Sequence, residues 1–444
     1  MLTRRNFVGT SVGAMALAGL SSSKSWAQSD EMVFLTEEGS PAFREFWAQV
    51  TADFEKEAGI RVRVEYLPID MGLTARIAMM LQAGSPPDLT QGYMGNGAYS
   101  MAVRGLLEPM GDVIAHLEEQ VGDKLNETYR VKISGTDFLA PLWCSAGNMW
   151  VRRDLLDAAG VSGLPEKWDQ YLGAIDKLKS SGVGGSTVSG GKSWCTASDF
   201  LNLVWGNGVH ITSRDASGNV IITVDDGDNL EKTAKALEFW KSASNVSVAA
   251  QDFSCGNMIE SMWSGNSATV PYVGARPRVE SARRKLPFAK NVWPMQFPWN
   301  AERVSMASFE GLMCFRSSPR KEKAKQFAKF LFTGDRYYKM LQRDPLHNLA
   351  PFASVATSSR MLDDPFIQTE LGPEVFQAVV EIAGRSRTFA GEVSPVNTYV
   401  EPLYGSLEMA TAVYNVVYGG VDARQEVQRL GGALRTILAQ QQQK

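Results

Sequence analysis

The chain has 444 residues, with 45 Lys and Arg against 48 Asp and Glu for a net charge of −3, and 44% apolar residues. A balance this mildly acidic, with no basic block, leaves no electrostatic footprint for nucleic acid. The length exceeds what one hydrophobic core supports, so two lobes are expected.

The N-terminus reads as an export address. Thr3-Arg4-Arg5-Asn6-Phe7 sets two arginines before a weakly apolar, Gly/Ala-rich run from Phe7 to Leu20, and Ser25-Trp26-Ala27 carries small residues where a signal peptidase cuts. The run falls short of the roughly 20 apolar residues that a membrane span needs. The paired arginines, modest hydrophobicity and late Lys24 favour the twin-arginine route. Residues 1–27 are therefore expected to be a signal peptide cleaved near Ala27, with the mature chain in the periplasm. No Cys lies near that point to take a lipid. Losing Arg4, Arg5 and Lys24 takes the net charge from −3 to −6.

Met32-Val33-Phe34-Leu35 predicts a first buried strand. Thr36 to Pro41 is a turn with helix-start chemistry, and Ala42 to Ala58 spaces Phe43, Phe46, Trp47, Val50 and Phe54 along one helical face, stopped by Gly59. Arg61 to Leu67 alternates as a strand, and Gly72 to Gln82 reads as a second helix. This strand–helix rhythm predicts an α/β fold with a largely parallel sheet, whose ligands bind at the carboxyl ends of the strands. The turns at 36–41 and 91–96 are thus candidate walls of a site. Further helices are expected at 153–159, 166–180, 228–243 and 321–332, and over most of 399–440 with a break at Gly419-Gly420. Ser180 to Ser193 reads as a Gly/Ser-rich loop.

Ser186 to Ser193 matches the right half of a phosphate-binding loop, but Ser186 stands where that loop needs glycine, so it is read as a plain loop. His116, His210 and His347 are far apart, and no metal, nucleophile or dinucleotide motif is present; no cofactor is expected. Cys144, Cys195, Cys255 and Cys314 permit two disulfides in an oxidising compartment, but in a core this large the balance tips to four buried thiols. Trp143, Trp205, Trp263 and Tyr93 stand beside Gly, Ser and Asn. Aromatic planes cover the C–H faces of sugars while amides and carboxylates take the hydroxyl edges.

Several segments, in order along the chain, resemble the family 1 extracellular solute-binding proteins of ABC importers, the group of the maltose- and glycerol-phosphate-binding proteins. They are Gly84-Ser85-Pro86-Pro87-Asp88-Leu89, Gly105-Leu106-Leu107-Glu108-Pro109-Met110, Pro141 to Ala159, Pro165 to Trp168, Met262 to Ala268, and Ser317 to Gly334. The resemblance implies a two-lobe periplasmic binding-protein fold (type II) with a ligand cleft between lobes and no catalysis. The protein would act as a monomer whose closed form docks on the ABC permease subunits. The N-terminal lobe is expected at 28–143 and 272–318, the C-terminal lobe at 144–271 and 319–444. Carried over position by position, the resemblance implies ligand contacts at Glu37, Glu38 and Ser40, at Tyr93, and at Trp143 and Asn148. It further implies Trp263, Tyr272 and Arg276, then Phe309 and Glu310, and finally Phe352. The expected ligand is a sugar or oligosaccharide. An anionic solute, such as a sugar acid or glycerol phosphate, would pair with Arg276, and a secreted glycan-cleaving enzyme would need Glu38 and Glu310 across one cleft.

Overall fold

A computed structural model describes residues 31–443 apart from 69–71, 94–96, 183, 245, 246 and 249; the expected signal peptide lies outside the described residues. Strand β1 (Met32–Thr36) pairs in parallel with β2 (Val62–Tyr66) on one side and β3 (Leu89–Tyr93) on the other. Helices α1 (Pro41–Ala58) and α2 (Gly72–Gln82) connect them, within a residue of the predicted bounds. The five apolar residues named for α1 form its buried face, and Gly59 ends it in the left-handed conformation at φ 69°.

The sheet continues through two long strands that run from one half of the molecule to the other. Ala140–Arg152 is buried along its whole length. Residues 140–146 of it pair with the return strand Ser305–Cys314, which in turn pairs with β3. Residues 147–152 pair instead with Thr269–Val273 and Val292–Gln296, one on each side. A third link lies beside them, where Cys144 and Leu349 exchange backbone hydrogen bonds of 2.8 and 3.0 Å. A strand that must be buried on both faces throughout carries a near-continuous apolar run, and Ala140–Arg152 does.

The first half of the molecule packs around aromatic contacts. Phe34 meets Trp47 edge-on at 5.0 Å, and Phe327 meets Phe54 at 5.1 Å. In the second half Trp168 stacks flat on Phe239 at 4.4 Å. These contacts revise the expected lobe boundaries. The helix Lys321–Phe332, assigned to the C-terminal lobe, lies on α1 through Phe327 and Phe330, and its Lys325 and Lys329 pair with Asp112. Residues 272–304, assigned to the N-terminal lobe, pack with the far half of the long strand. The reason is that the chain crosses at the strands themselves, and each crossing changes sides in mid-strand.

The cysteines also depart from expectation. Cys195 and Cys255 form a disulfide, their Cα atoms 5.6 Å apart, while Cys144 and Cys314 are the buried thiols anticipated for all four. Folding sets two helix starts side by side within bridging distance, which a separation of 60 residues does not reveal. The stretch Ser180–Ser193, read as a loop throughout, is one at Gly190–Ser193. Ser186–Thr187, however, forms a short strand paired in parallel with Ser247–Val248, a pairing between distant segments that local composition does not reveal.

Candidate functional site

A cleft of about 950 Å³ opens between the β1–α1 turn and the helices Cys255–Trp263 and Arg276–Arg283. Behind it lies a tight chamber of about 40 Å³ that shares Glu37, Glu38 and Arg276 with the cleft and adds Trp194, Tyr272, Glu310 and His347. The carboxyl end of β1 delivers Glu37 and Glu38 here, as the rule for open α/β sheets requires. Thr36 Oγ1 accepts from the Glu38 backbone N–H at 3.0 Å and so fixes the start of the turn. Pro41 then opens α1.

Arg276 is the cation shared by cleft and chamber. It lies 3.8 Å from Glu38 and 3.8 Å from Asp344, with the Tyr272 hydroxyl beside it. Those groups, Tyr272 foremost, hold its pKa above the ordinary arginine value. Burial pushes the Asp344 carboxyl up to about 6 against the pull of Arg276 and Arg283. Burial, with Arg276 and Arg283 nearby, drives His347 well below its usual value, and the Ala275 N–H donates to His347 Nδ1 at 3.3 Å. His347 is therefore a neutral ring.

Glu310 forms the floor. Gln91 Nε2 donates to it at 2.7 Å and is oriented by a 2.5 Å bond from Thr36 Oγ1 to Gln91 Oε1. The Trp143 indole lies beside the carboxyl and, like Gln91, favours its charged form. Burial, reinforced by Glu38 and Glu37, nevertheless raises Glu310 to about 8. The chamber thus carries three carboxyl groups against one guanidinium, with aromatic rings beside them.

Seven of the twelve expected contact residues line this space: Glu37, Glu38, Ser40, Trp263, Tyr272, Arg276 and Glu310. Tyr93 ends β3 opposite Glu310 in the register. Four do not line it. Trp143 is a core ring 5.5 Å from Phe43 that backs Glu310 from behind. Asn148 is fully buried and donates to the Ala146 and Gly274 carbonyls. Phe309 packs against Tyr129, and Phe352 is fully buried. Trp205 is likewise core, its indole donating to Glu392 at 2.8 Å. A Gly/Ser neighbourhood says that a backbone turns, not that the neighbouring ring is wet.

Sequence reasoning missed Trp194, His347 and Asp344. Trp194 directly follows the Gly190-Gly191-Lys192-Ser193 run, so that unusual loop was itself the signal. Among the described residues no three His, Cys, Asp or Glu side chains converge as a metal-binding group.

Residues 36–334 match the family model of the bacterial extracellular solute-binding proteins. A binding protein of Brucella abortus strain 2308 is 23% identical over 359 residues, covering 78% of this chain and 81% of its own. Among solved structures, an ABC transporter solute-binding protein of Thermotoga lettingae bound to α-D-tagatose superposes with a TM-score of 0.74 at 21% identity, over 92% of this chain and 99% of its own. Maltose-bound MalE3 of T. maritima gives 0.74 at 16% identity, over 92% and 100%. The sugar-binding MalE of Xanthomonas citri gives 0.72 at 19%, over 93% and 98%. At these identities the likeness shows the fold, which is the two-lobe binding-protein architecture. The family match covers most of the chain, and the chain belongs to the bacterial extracellular solute-binding proteins.

Proposed function

We propose that the chain is exported by its leader, captures a neutral sugar or short oligosaccharide in the cleft, and delivers it to the permease of an ABC importer. The observation that carries this reading is the composition of the cleft and its inner chamber. Glu37, Glu38 and Glu310 supply acceptors, Glu310 in its protonated form also a donor, and Trp194, Tyr272 and Trp263 supply planes for C–H faces. The tagatose- and maltose-bound relatives support the same class of ligand.

In the inner chamber the anionic alternative is disfavoured, because Arg276 already faces Glu38 and Asp344 with Glu310 nearby. The outer cleft also carries Arg44, Arg283 and Arg343, so sugar acids stay in the test. Glu38 and Glu310 do share one chamber, the arrangement a glycan-cleaving enzyme would require, so turnover belongs in the same experiment.

The test is a thermal-shift screen of the mature protein against neutral sugars, oligosaccharides, polyols and sugar acids. A ligand at 100 times its dissociation constant adds about 2.7 kcal/mol of stability. We expect a shift with a neutral sugar, equal at low and high salt, and no release of product from aryl glycosides. A shift confined to anions and abolished by salt would replace this reading with the anionic one. Steady glycoside turnover would replace it with an enzyme.

A further inference from the structure

The glycine-rich run that resembles half a phosphate loop has a different purpose in the fold. The Gly190 N–H donates to the Ala250 carbonyl at 3.0 Å and the Gly191 N–H to the Phe253 carbonyl at 3.1 Å. A Cβ at Gly191 would lie 2.4 Å from the Phe253 oxygen, and one at Gly190 would lie 2.5 Å from the Tyr418 ring. Only glycine lets the two loops run this close. Directly beyond them the disulfide joins Cys195, second residue of the helix Trp194–Gly206, to Cys255, first residue of the helix Cys255–Trp263.

The sequence neighbours of that bond are site residues on both sides. Trp194 precedes Cys195 and lines the inner chamber. Gly256 follows Cys255 and, with Ile259 and Trp263 on the same helix, lines the outer cleft. The two helix starts are held unequally. The Trp194 carbonyl accepts from Tyr404 Oη at 2.7 Å and Ser198 Oγ at 3.0 Å, which anchors that turn to the core. The opening turn of the other helix is exposed at Ser254, Gly256 and Asn257, and the capping bonds of Ser254 go to Asn257 of that same turn. The disulfide ties this exposed turn to the anchored one.

We propose that the Cys195–Cys255 disulfide is a positioning device for solute binding, holding the chamber ring Trp194 in register with the Gly256–Trp263 wall of the cleft. The proposal rests on the cleft being the solute site. Opening the bond with dithiothreitol takes two electrons and two protons from the reagent, giving two cysteine thiols and the cyclic disulfide of the reagent. The core around both helices is large enough to stay folded, while the wall loses its fixed register. If the wall is in register in about one reduced molecule in ten, apparent affinity falls about tenfold.

Two measurements test this on the full mature chain. The first needs no ligand: acrylamide quenching of the Trp194 fluorescence, taken as the difference from Trp194→Phe, in the disulfide-bonded protein and in Cys195→Ser/Cys255→Ser. The second is calorimetric binding of maltose to the same pair, and to wild type reduced with dithiothreitol and then reoxidised. We expect Trp194 quenching to change on loss of the bond, maltose affinity to drop about tenfold with an unchanged far-ultraviolet spectrum, and reoxidation to restore both. Unchanged Trp194 quenching, or equal affinity with and without the bond, overturns the proposal. So does unfolding of both the serine variant and the reduced wild type, which would make the bond a plain staple. If maltose does not bind the bonded wild type, maltose is not the solute, and the quenching arm still decides the positioning role.

Discussion

Glu310 shows how much of the site's chemistry depends on one residue's surroundings. Its carboxyl accepts a hydrogen bond from Gln91 yet is raised to about 8 by burial and by Glu38 and Glu37, against an ordinary value of 4.5. The folded protein therefore keeps a proton that the unfolded chain releases. The resulting stability is complete below about pH 4.5 and is lost as pH rises through about 8. Glu310→Gln should be insensitive to that window. Chemical denaturation of the two proteins should give a difference that grows in favour of the variant from pH 4.5 to about 8, by on the order of a few kcal/mol. Asp344 titrates in both proteins and cancels in the difference. A flat difference across the window would show that Glu310 is not held protonated. Glu37 and Glu38 were legible because they follow the end of the first strand, whereas Arg276 and mid-strand Glu310 were reached only by carrying positions over from the family resemblance. Trp143, carried over as a contact residue, is a buried ring against Phe43, and no local sequence pattern separates a core tryptophan from one that faces a ligand.

At the scale of elements, α1 and α2 were legible because a one-sided apolar stripe at helical spacing is a local property. The helix Trp194–Gly206 was not, since all its residues after the first are buried and a helix surrounded by protein shows no stripe. The crossing strands raise a sharper point at Gly274, which follows Thr269–Val273 at φ 102°. Its carbonyl accepts from Trp150 Nε1 at 2.9 Å, and a Cβ there would lie 2.1 Å from His347 Nδ1. Gly274→Ala must push His347 out of the chamber wall and force an alanine into a conformation it rarely adopts. We expect a loss of about 1–3 kcal/mol in stability, with weaker solute binding measured by calorimetry. Glu392 offers the contrast of a buried carboxyl group that lines neither the cleft nor the chamber. It accepts from Trp205 Nε1, the Ile211 and Thr212 N–H groups and Thr212 Oγ1, at 2.6–2.8 Å. Glu392→Ala strands those donors, at about 1–3 kcal/mol for each one left buried. It should lower the melting temperature markedly while leaving solute affinity per folded molecule unchanged.

On the scale of the whole molecule, the expectation of two lobes followed from length alone, whereas the lobe boundaries required knowing where strands change sides. That crossing is also what makes binding a mechanical event. Glu37, Glu38 and Ser40 come from the half built on β1, and Trp263, Tyr272 and Arg276 from the half built on the far end of the long strand. The ion pair between Arg276 and Glu38 at 3.8 Å spans the cleft. A solute that touches both halves makes more contacts when they approach, and only that difference in affinity can shift the population toward a closed state. Small-angle scattering should therefore show a radius of gyration near 22 Å, the expectation for a compact mature chain of this length, that falls when a sugar found by the thermal-shift screen is added. Arg276→Ala removes both a wall of the site and the spanning pair. In that variant the same sugar should bind about tenfold more weakly, and the fall in radius should require correspondingly more sugar while reaching the same end point. A radius that stays constant at saturating sugar would mean that the halves do not close, and the solute would then be held by one half alone.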